Sequence, residues 1–136
     1  MALSVNKSST VGSSTVGSIE ALNVSVVVGS LARNPIRRQL KNRDEVLNLD
    51  VRVKTGELKT VVPVTWMNPP VWALKLTAGT CVGVRGSVRQ LWYGNNSRFT
   101  DLLASKVVRI AGASSHRRFL DDTLAAIEEL ERPMIA

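Results

Sequence analysis

The chain has 136 residues, of which 44% are hydrophobic, 21% are charged and 4% are aromatic, and its formal net charge is +7. This length fits one ordinary domain, and the balance of apolar and charged residues argues against wholesale disorder. One cysteine and one histidine exclude an internal disulfide and a zinc cluster, so we expect no metal and no cofactor. Neither a long apolar run nor a signal-peptide pattern occurs, which predicts a cytoplasmic protein.

The positive charge is concentrated in the middle of the sequence. Residues 19–112 hold 14 Lys and Arg against 6 Asp and Glu, whereas residues 113–136 hold 3 against 5. Residues 1–18 contain the pentapeptide Ser-Thr-Val-Gly-Ser twice, which predicts a flexible leader rather than an edge strand formed on assembly. We therefore predict a basic central domain, a C-terminal hinge and helix, and a polyanionic partner.

Three strands are predicted in the first half of the central segment. Residues 23–28 are rich in β-branched side chains, and residues 47–54 alternate strictly between apolar and polar. A Gly-containing turn at 54–57 leads into a third strand that ends near Trp66, with Pro63 at an edge or bulge. The intervening residues 33–43 are expected to be irregular.

A short helix and two further strands complete the central segment. Asn68 is expected to cap a helix that Pro69 and Pro70 open and that ends before the turn at 78–80. Strands are then predicted over 81–90 and 99–110, separated by a turn at 94–97.

The C-terminal segment has the spacing of an amphipathic helix. Its apolar stripe is formed by Leu120, Leu124 and Ile127, and it continues to Leu130 or Glu131. We expect this stripe to pack on the same domain or on a sister subunit, in preference to recruiting another protein.

The order of these elements is that of the OB-fold, an all-β, five-stranded Greek-key barrel with one short helix between its third and fourth strands. This barrel binds oligonucleotides or oligosaccharides on one face. The predicted architecture is thus a leader at 1–18, an OB-fold domain at 19–112, and a hinge with an amphipathic helix at 113–136.

Two blocks of the sequence resemble the bacterial single-stranded DNA-binding protein family, over roughly residues 22 to 110. The block at 26–38 matches the family's opening signature at four positions, Gly29, Leu31, Pro35 and Arg38. It departs from the signature at two positions, where Ser30 replaces the family's Asn and Asn34 replaces its Asp. The block at 76–89 resembles the family's alternating, Gly-containing strand, and Trp92 falls where the family carries an aromatic residue.

The resemblance implies a non-enzymatic protein that binds single-stranded DNA without sequence preference in replication, recombination or repair. It further implies nucleoid association, replication or repair proteins as partners, and a homotetramer or homodimer. The valine-rich first strand independently suggests association, because it is apolar on both sides. A dimeric primosome-type OB accessory protein and an OB-fold interaction adaptor with weak DNA affinity are the alternatives.

The sequence also departs from the family pattern in three ways, one of which is a shorter central hairpin loop. Residues 58–60 stand where the family carries a tryptophan, which removes one stacking platform. The sequence closes at residues 131–136 without the family's Gly/Pro/Gln-rich linker and acidic tip, so the resemblance does not extend to recruitment of enzymes through such a tip.

Binding a single strand requires cations for the phosphates and flat side chains for the bases. The predicted cations lie in a cluster after the first strand and on the polar sides of the next three strands. They are Arg33, Arg37, Arg38, Lys41, Arg43, Arg52, Lys54, Lys59, Arg85 and Arg89. If the strands curl as in an OB-fold, those on the strands converge on one basic face.

The predicted stacking residues lie at strand ends. Trp92 and Tyr93 are flanked by Arg89 and Arg98, whereas Trp66 is equally compatible with stacking and with the core. Trp72 is expected to pack at the bottom of the barrel. No catalytic residues are predicted, because His116 and Cys81 lack partners for nucleophilic or acid–base chemistry.

Overall fold

A six-stranded mixed sheet forms the body of the molecule. The computed structural model describes residues 21–131, without the side chains of Tyr93 and Glu131, so the predicted leader lies outside the described residues. The elements are β1 (Ser25–Leu31), β2 (Ile36–Gln39), β3 (Glu45–Thr55), β4 (Leu58–Met67), β5 (Cys81–Tyr93), β6 (Ser97–Arg109) and helix α1 (Ala113–Glu131). The sheet order is β1-β5-β6-β4-β3-β2, and the sheet closes into a barrel because β1 also pairs with β3.

Alternate residues of the strands form the core of the barrel. In the antiparallel β3–β4 pair, Leu47 lies opposite Trp66 and Leu49 opposite Val64, and all four side chains are buried. The same interior receives Leu31, Val51, Ala73, Leu76, Val82, Val84, Leu102 and Val107. The residues between these positions on each strand therefore point away from the core.

The prediction that residues 33–43 are irregular is wrong for part of that stretch. Ile36–Gln39 form β2, which pairs antiparallel with β3 and places Arg38 opposite Val46. All four side chains of β2 are exposed. A short edge strand of this kind buries little apolar surface, so it leaves no hydrophobic pattern in the sequence.

A single 3-10 turn, Val71–Lys75, lies between β4 and β5, where the sequence predicts a short helix. Asn68 does not cap this turn, because the residue at the cap position is Pro70 and it makes no side-chain capping bond. Asn68 instead adopts a positive φ of 48°, and its Oδ1 accepts the backbone N–H of Glu45 at 2.9 Å. The amide of Asn68 thus fastens the end of β4 to the start of β3.

The β5–β6 hairpin extends beyond the rest of the sheet. β5 pairs with β1 only as far as Gly86, and β6 pairs with β4 only at Leu102 and Leu103. Residues 89–93 and 97–101 consequently pair only with each other, so the end of the hairpin is a two-stranded arm.

Helix α1 covers the outer side of the sheet at β5. Phe119, Thr123 and Ile127 are its buried residues, and a Cβ on Gly83 would lie 2.7 Å from the Phe119 ring. The glycine is therefore required for this close approach. Of the predicted stripe, Ile127 packs on the sheet of the same domain, whereas Leu120, Leu124 and Leu130 are exposed on the single chain. No helix among residues 21–131 combines the length and the apolar character that a membrane span requires.

Candidate nucleic-acid interface

The outward side of β2, β3, β4, β6 and the arm of β5 forms one continuous surface, which we call the strand face. Cross-strand pairing brings its residues together, with Lys54 opposite Lys59 and Arg89 opposite Asp101. Other members are Arg38, Asn48, Arg52, Thr65 and Phe99, each of which lies on the non-core side of its strand. Helix α1 packs on β5 at Gly83 and Arg85 and leaves this surface uncovered.

A chain of hydrogen bonds crosses the strand face from β2 to β5. Arg38 Nε donates to Asn48 Oδ1 at 3.2 Å, and Asn48 Nδ2 donates to Thr65 Oγ1 at 3.4 Å. Thr65 Oγ1 then donates to Asp101 Oδ2 at 2.6 Å. Arg89 completes the chain by donating to both Asp101 oxygens, from Nε at 2.8 Å and from a terminal nitrogen at 3.2 Å. Five strands are thereby tied together by side chains on their outer side.

Asp101 is the centre of this network, although it lies on the outside of the barrel. The residue is only 4% exposed. Burial alone would raise the pKa of its carboxyl group, but hydrogen bonds from Arg89 and Thr65 and the charge of Arg89 outweigh that effect and lower the pKa below its ordinary value of 3.8. The carboxylate is therefore ionised at neutral pH and neutralises Arg89, so the middle of the strand face carries little net charge.

The β3–β4 hairpin carries three cations that are available for a ligand. Arg52, Lys54 and Lys59 are exposed and share the outward side. No salt bridge within residues 21–131 involves any of them. Like charges directly opposite each other destabilise a sheet, so the pairing of Lys54 with Lys59 has a cost that an anionic ligand would offset.

The predicted cluster after the first strand separates into three groups. Arg33 Nε lies 2.6 Å from Asp50 Oδ2 on the strand-face side of β3. Arg37 points to the opposite side of β2 from Arg38 and forms a 2.6 Å ion pair with Glu45. Lys41 and Arg43 are exposed in the turn that follows β2. The structure therefore brings Arg33 and Arg38 to the strand face and directs Arg37 away from it.

Two exposed aromatic residues lie on opposite sides of the β5–β6 arm. Phe99 is 42% exposed on the strand face and pairs with Leu91. Trp92 is 63% exposed, and its position between Leu91 and Tyr93 places it on the other side from Arg89. The guanidinium carbon of Arg98 lies 4.9 Å from the centre of the Trp92 ring, which is a cation–π contact.

Two further predicted residues, Trp66 and Arg85, also lie away from the strand face. Trp66 is 8% exposed in the core, where its ring meets Trp72 edge-on at 5.7 Å. Arg85 faces outward from β5 but lies under α1, where one terminal nitrogen donates to Asp122 at 3.3 Å and to Thr123 at 3.0 Å. These contacts occupy Arg85 within the fold.

Phe99, Asp101, Asn48 and Thr65 are strand-face residues that the sequence reasoning missed. Phe99 and Asp101 are two positions apart on one strand, and this spacing alone places them on the same side. Nothing in the sequence pattern shows that Thr65 and Asp101 lie on adjacent strands, because the hydrogen bond between them joins residues 36 positions apart across the parallel β4–β6 pair.

No protein-family model matches the sequence, and no curated protein does. Solved structures do match. The N-terminal domain of the PriB protein from Thermoanaerobacter tencongensis, described as dimeric, superposes with a TM-score of 0.56 at 20% identity over 66% of this chain and 98% of that chain.

A second match is the wild-type single-stranded DNA binding protein from Thermus aquaticus, with a TM-score of 0.58 at 22% identity over 68% of this chain. A deletion mutant of the same protein gives a TM-score of 0.59. The matched region spans 42% of the Thermus aquaticus chain. At these identities the comparison establishes the fold, and the molecule is an OB-fold protein whose barrel is similar to those of PriB and of a single-stranded DNA binding protein.

Proposed function

We propose that this protein binds single-stranded DNA on the strand face, without strong sequence preference. The observation that carries the proposal is the cluster of Arg52, Lys54 and Lys59, which gathers three cations on one surface without an acidic partner among the described residues. A surface of this kind is suited to a row of phosphates. The likeness of the barrel to a single-stranded DNA binding protein supports the same function.

Bases and phosphates are expected to occupy different parts of the strand face. The cations of the β3–β4 hairpin and Arg38 meet phosphates, whereas the charge-neutral Arg89–Asp101 pair and the exposed ring of Phe99 accept bases. A base stacked on an aromatic ring contributes about 1–3 kcal/mol. Trp92, backed by Arg98, supplies a second stacking surface at the end of the arm.

The proposed role is binding rather than catalysis, in replication, recombination or repair, on single strands exposed in the nucleoid. We also propose that the protein acts as a homo-oligomer. Val26 of β1 is exposed on the outer side of the sheet, and β1 pairs with β3 only at Ser30 and Leu31. The PriB domain of similar fold is dimeric.

A titration of fluorescein-labelled oligo(dT) followed by anisotropy tests the proposal. Binding should weaken steeply as salt is raised, with a slope of log affinity against log salt of about −0.7 for each phosphate contacted. Duplex DNA of equal length should bind more weakly, because its bases are not available for stacking. Absence of binding at low salt, or an affinity insensitive to salt, would refute the proposal.

Tryptophan fluorescence gives an independent measurement. Trp92 is the most exposed of the three tryptophans, so quenching by poly(dT) should come mainly from that side chain. Trp92→Ala should abolish most of the quenching while the anisotropy titration still reports binding to the strand face.

A PriB-like accessory role is the second candidate, because this chain covers 98% of the PriB domain. That role predicts a stable dimer that binds single-stranded DNA and a replication enzyme together. An interaction adaptor with weak DNA affinity would give little anisotropy change in the same titration.

A further inference from the structure

Helix α1 has one side that packs on the sheet and another that faces solvent. Phe119, Thr123 and Ile127 form the packed side. Leu120 and Leu124, one turn apart, are 38% and 52% exposed. At 100° per residue, Arg117 and Glu128 fall on the same stripe as these two leucines. We call these four residues the outer stripe.

The charges of α1 run against the helix dipole. His116, Arg117 and Arg118 lie near the N-terminus, with no acidic residue in the first turn, and Glu128 lies near the C-terminus, with no basic residue in the last turn. Because the N-terminus of a helix carries partial positive charge, cations there and anions at the C-terminus are unfavourable. Neither Arg117 nor Glu128 has an ion-pair partner among residues 21–131, so contacts within the described fold do not offset this cost.

An antiparallel copy of the same helix would cover the exposed leucines and would also compensate the charges that oppose the helix dipole. With the two-fold axis near residue 122, Leu120 of one copy meets Leu124 of the other, and Arg117 meets Glu128. Each contact occurs twice, because the arrangement is symmetric. The opposed dipoles also place each basic N-terminal turn beside an acidic C-terminal turn.

We propose that the outer stripe of α1 pairs antiparallel with the outer stripe of a second copy of this chain. The stripe carries a cation at one end and an anion at the other, so it is complementary in charge to the stripe of an antiparallel copy. This complementarity favours a second copy over an unrelated partner. Two leucines from each chain bury less than the roughly 1,200 Å² of a stable interface. The contact is therefore a weak one that brings two barrels together at high local concentration, as on a shared DNA strand.

Charge exchange tests the pairing. Arg117→Glu alone and Glu128→Arg alone each place like charges opposite each other twice in the pair, which should weaken self-association about tenfold. The double variant R117E/E128R restores both ion pairs and should recover the original association. Sedimentation velocity over a range of protein concentrations, with and without oligo(dT), measures the association constants.

Two controls separate the pairing from other effects. Both single changes bring α1 into agreement with its dipole, so thermal unfolding should shift to equal or higher temperature and loss of association cannot arise from unfolding. Leu124→Glu should also weaken association, whereas Leu74→Glu, at an exposed leucine of the 3-10 turn, should leave it unchanged.

The remaining outcomes overturn the proposal. A wild-type chain that shows no self-association at any concentration, single variants that associate normally, or a double variant that fails to recover would each exclude antiparallel pairing of α1. The last result would point to a different occupant of the stripe, such as another protein or another segment of this chain.

Discussion

Arg85 and Arg89 lie four residues apart on the same outward side of β5, yet their surroundings differ. Arg85 lies under α1 and binds Asp122 and Thr123 of the helix. Arg89 lies on the uncovered strand face and binds Asp101 of the neighbouring strand. The alternation of a strand fixes the side on which a residue lies, but the elements packed on that side decide whether it is available to a ligand.

The two phenylalanines of the chain show the same contrast. Phe119 of α1 is buried against Gly83 of β5 and contributes to stability. Phe99 is exposed on the strand face, where it adds little to packing. The helix-covered face is therefore expected to determine stability, and the strand face to determine DNA affinity.

The largest expected effect comes from the helix-covered face. Phe119→Ala should lower the free energy of unfolding by about 3–5 kcal/mol, because it leaves a cavity between α1 and β5. Urea denaturation measures this loss, and Phe119→Leu should give a smaller one. The oligo(dT) affinity of the folded protein should not change, and a parallel fall in affinity would show that the helix-covered face takes part in binding.

Removal of the hairpin cations should produce the largest loss of binding. The triple change of Arg52, Lys54 and Lys59 to Ala should reduce the salt slope by about 2 and the affinity at 0.15 M salt on the order of 50-fold. Changing Lys75, Arg109 and Arg118 to Ala removes the same net charge from exposed positions outside the strand face and the outer stripe. Equal losses in the two variants would mean that overall charge, rather than the strand face, attracts the DNA.

Phe99→Ala should reduce the affinity for oligo(dT) by about 1–3 kcal/mol through loss of stacking. The salt slope should stay constant, since no phosphate contact is lost. Phe99→Tyr keeps an aromatic ring and should bind normally. A change in slope in the alanine variant would assign phosphates, rather than bases, to this part of the surface.

The smallest effect concerns acid stability. Because the pKa of Asp101 is lowered in the folded state, its stabilising contribution is complete above the unfolded pKa of about 3.8 and is lost as the pH falls through the folded value. Asp101→Asn should cost about 1 kcal/mol at neutral pH and should flatten the stability curve below about pH 4. Denaturation midpoints between pH 2 and pH 7 measure both the loss of stability at neutral pH and the change in its acid dependence. If the variant loses stability below about pH 4 as steeply as the wild type, the titrating group is a residue other than Asp101.

Local patterns in the sequence predict most of the barrel. Strict alternation at 47–54 matches β3, and helical spacing from Leu120 onward matches the later part of α1. The helix begins at Ala113, where the sequence predicts a hinge. The helix nevertheless packs through Phe119, Thr123 and Ile127, because both sides of α1 carry apolar residues and the glycine at position 83 admits a phenyl ring. A helical wheel cannot distinguish these two sides without the shape of the sheet beneath.

The candidate site is less predictable than the fold. The pairing of Lys54 with Lys59 can be predicted, because the short turn between their strands fixes the register of the hairpin. The hydrogen-bonded chain through Thr65 and Asp101 depends on a parallel pairing between strands that are distant in the sequence, and no local signal reports it. The burial of Arg85 likewise depends on where α1 docks.

The main chain of Arg52 has a second role at the seam of the barrel. Arg52 pairs with Ser30 where β1 meets β3, and a Cβ on Gly29 would collide with its carbonyl oxygen. The side chain of the same residue points to solvent among the hairpin cations. The β1–β3 seam and the proposed binding surface thus share Arg52. A bulkier side chain at position 29 would displace the backbone of Arg52, and we expect the resulting shift of its guanidinium to alter DNA affinity without any change on the strand face itself.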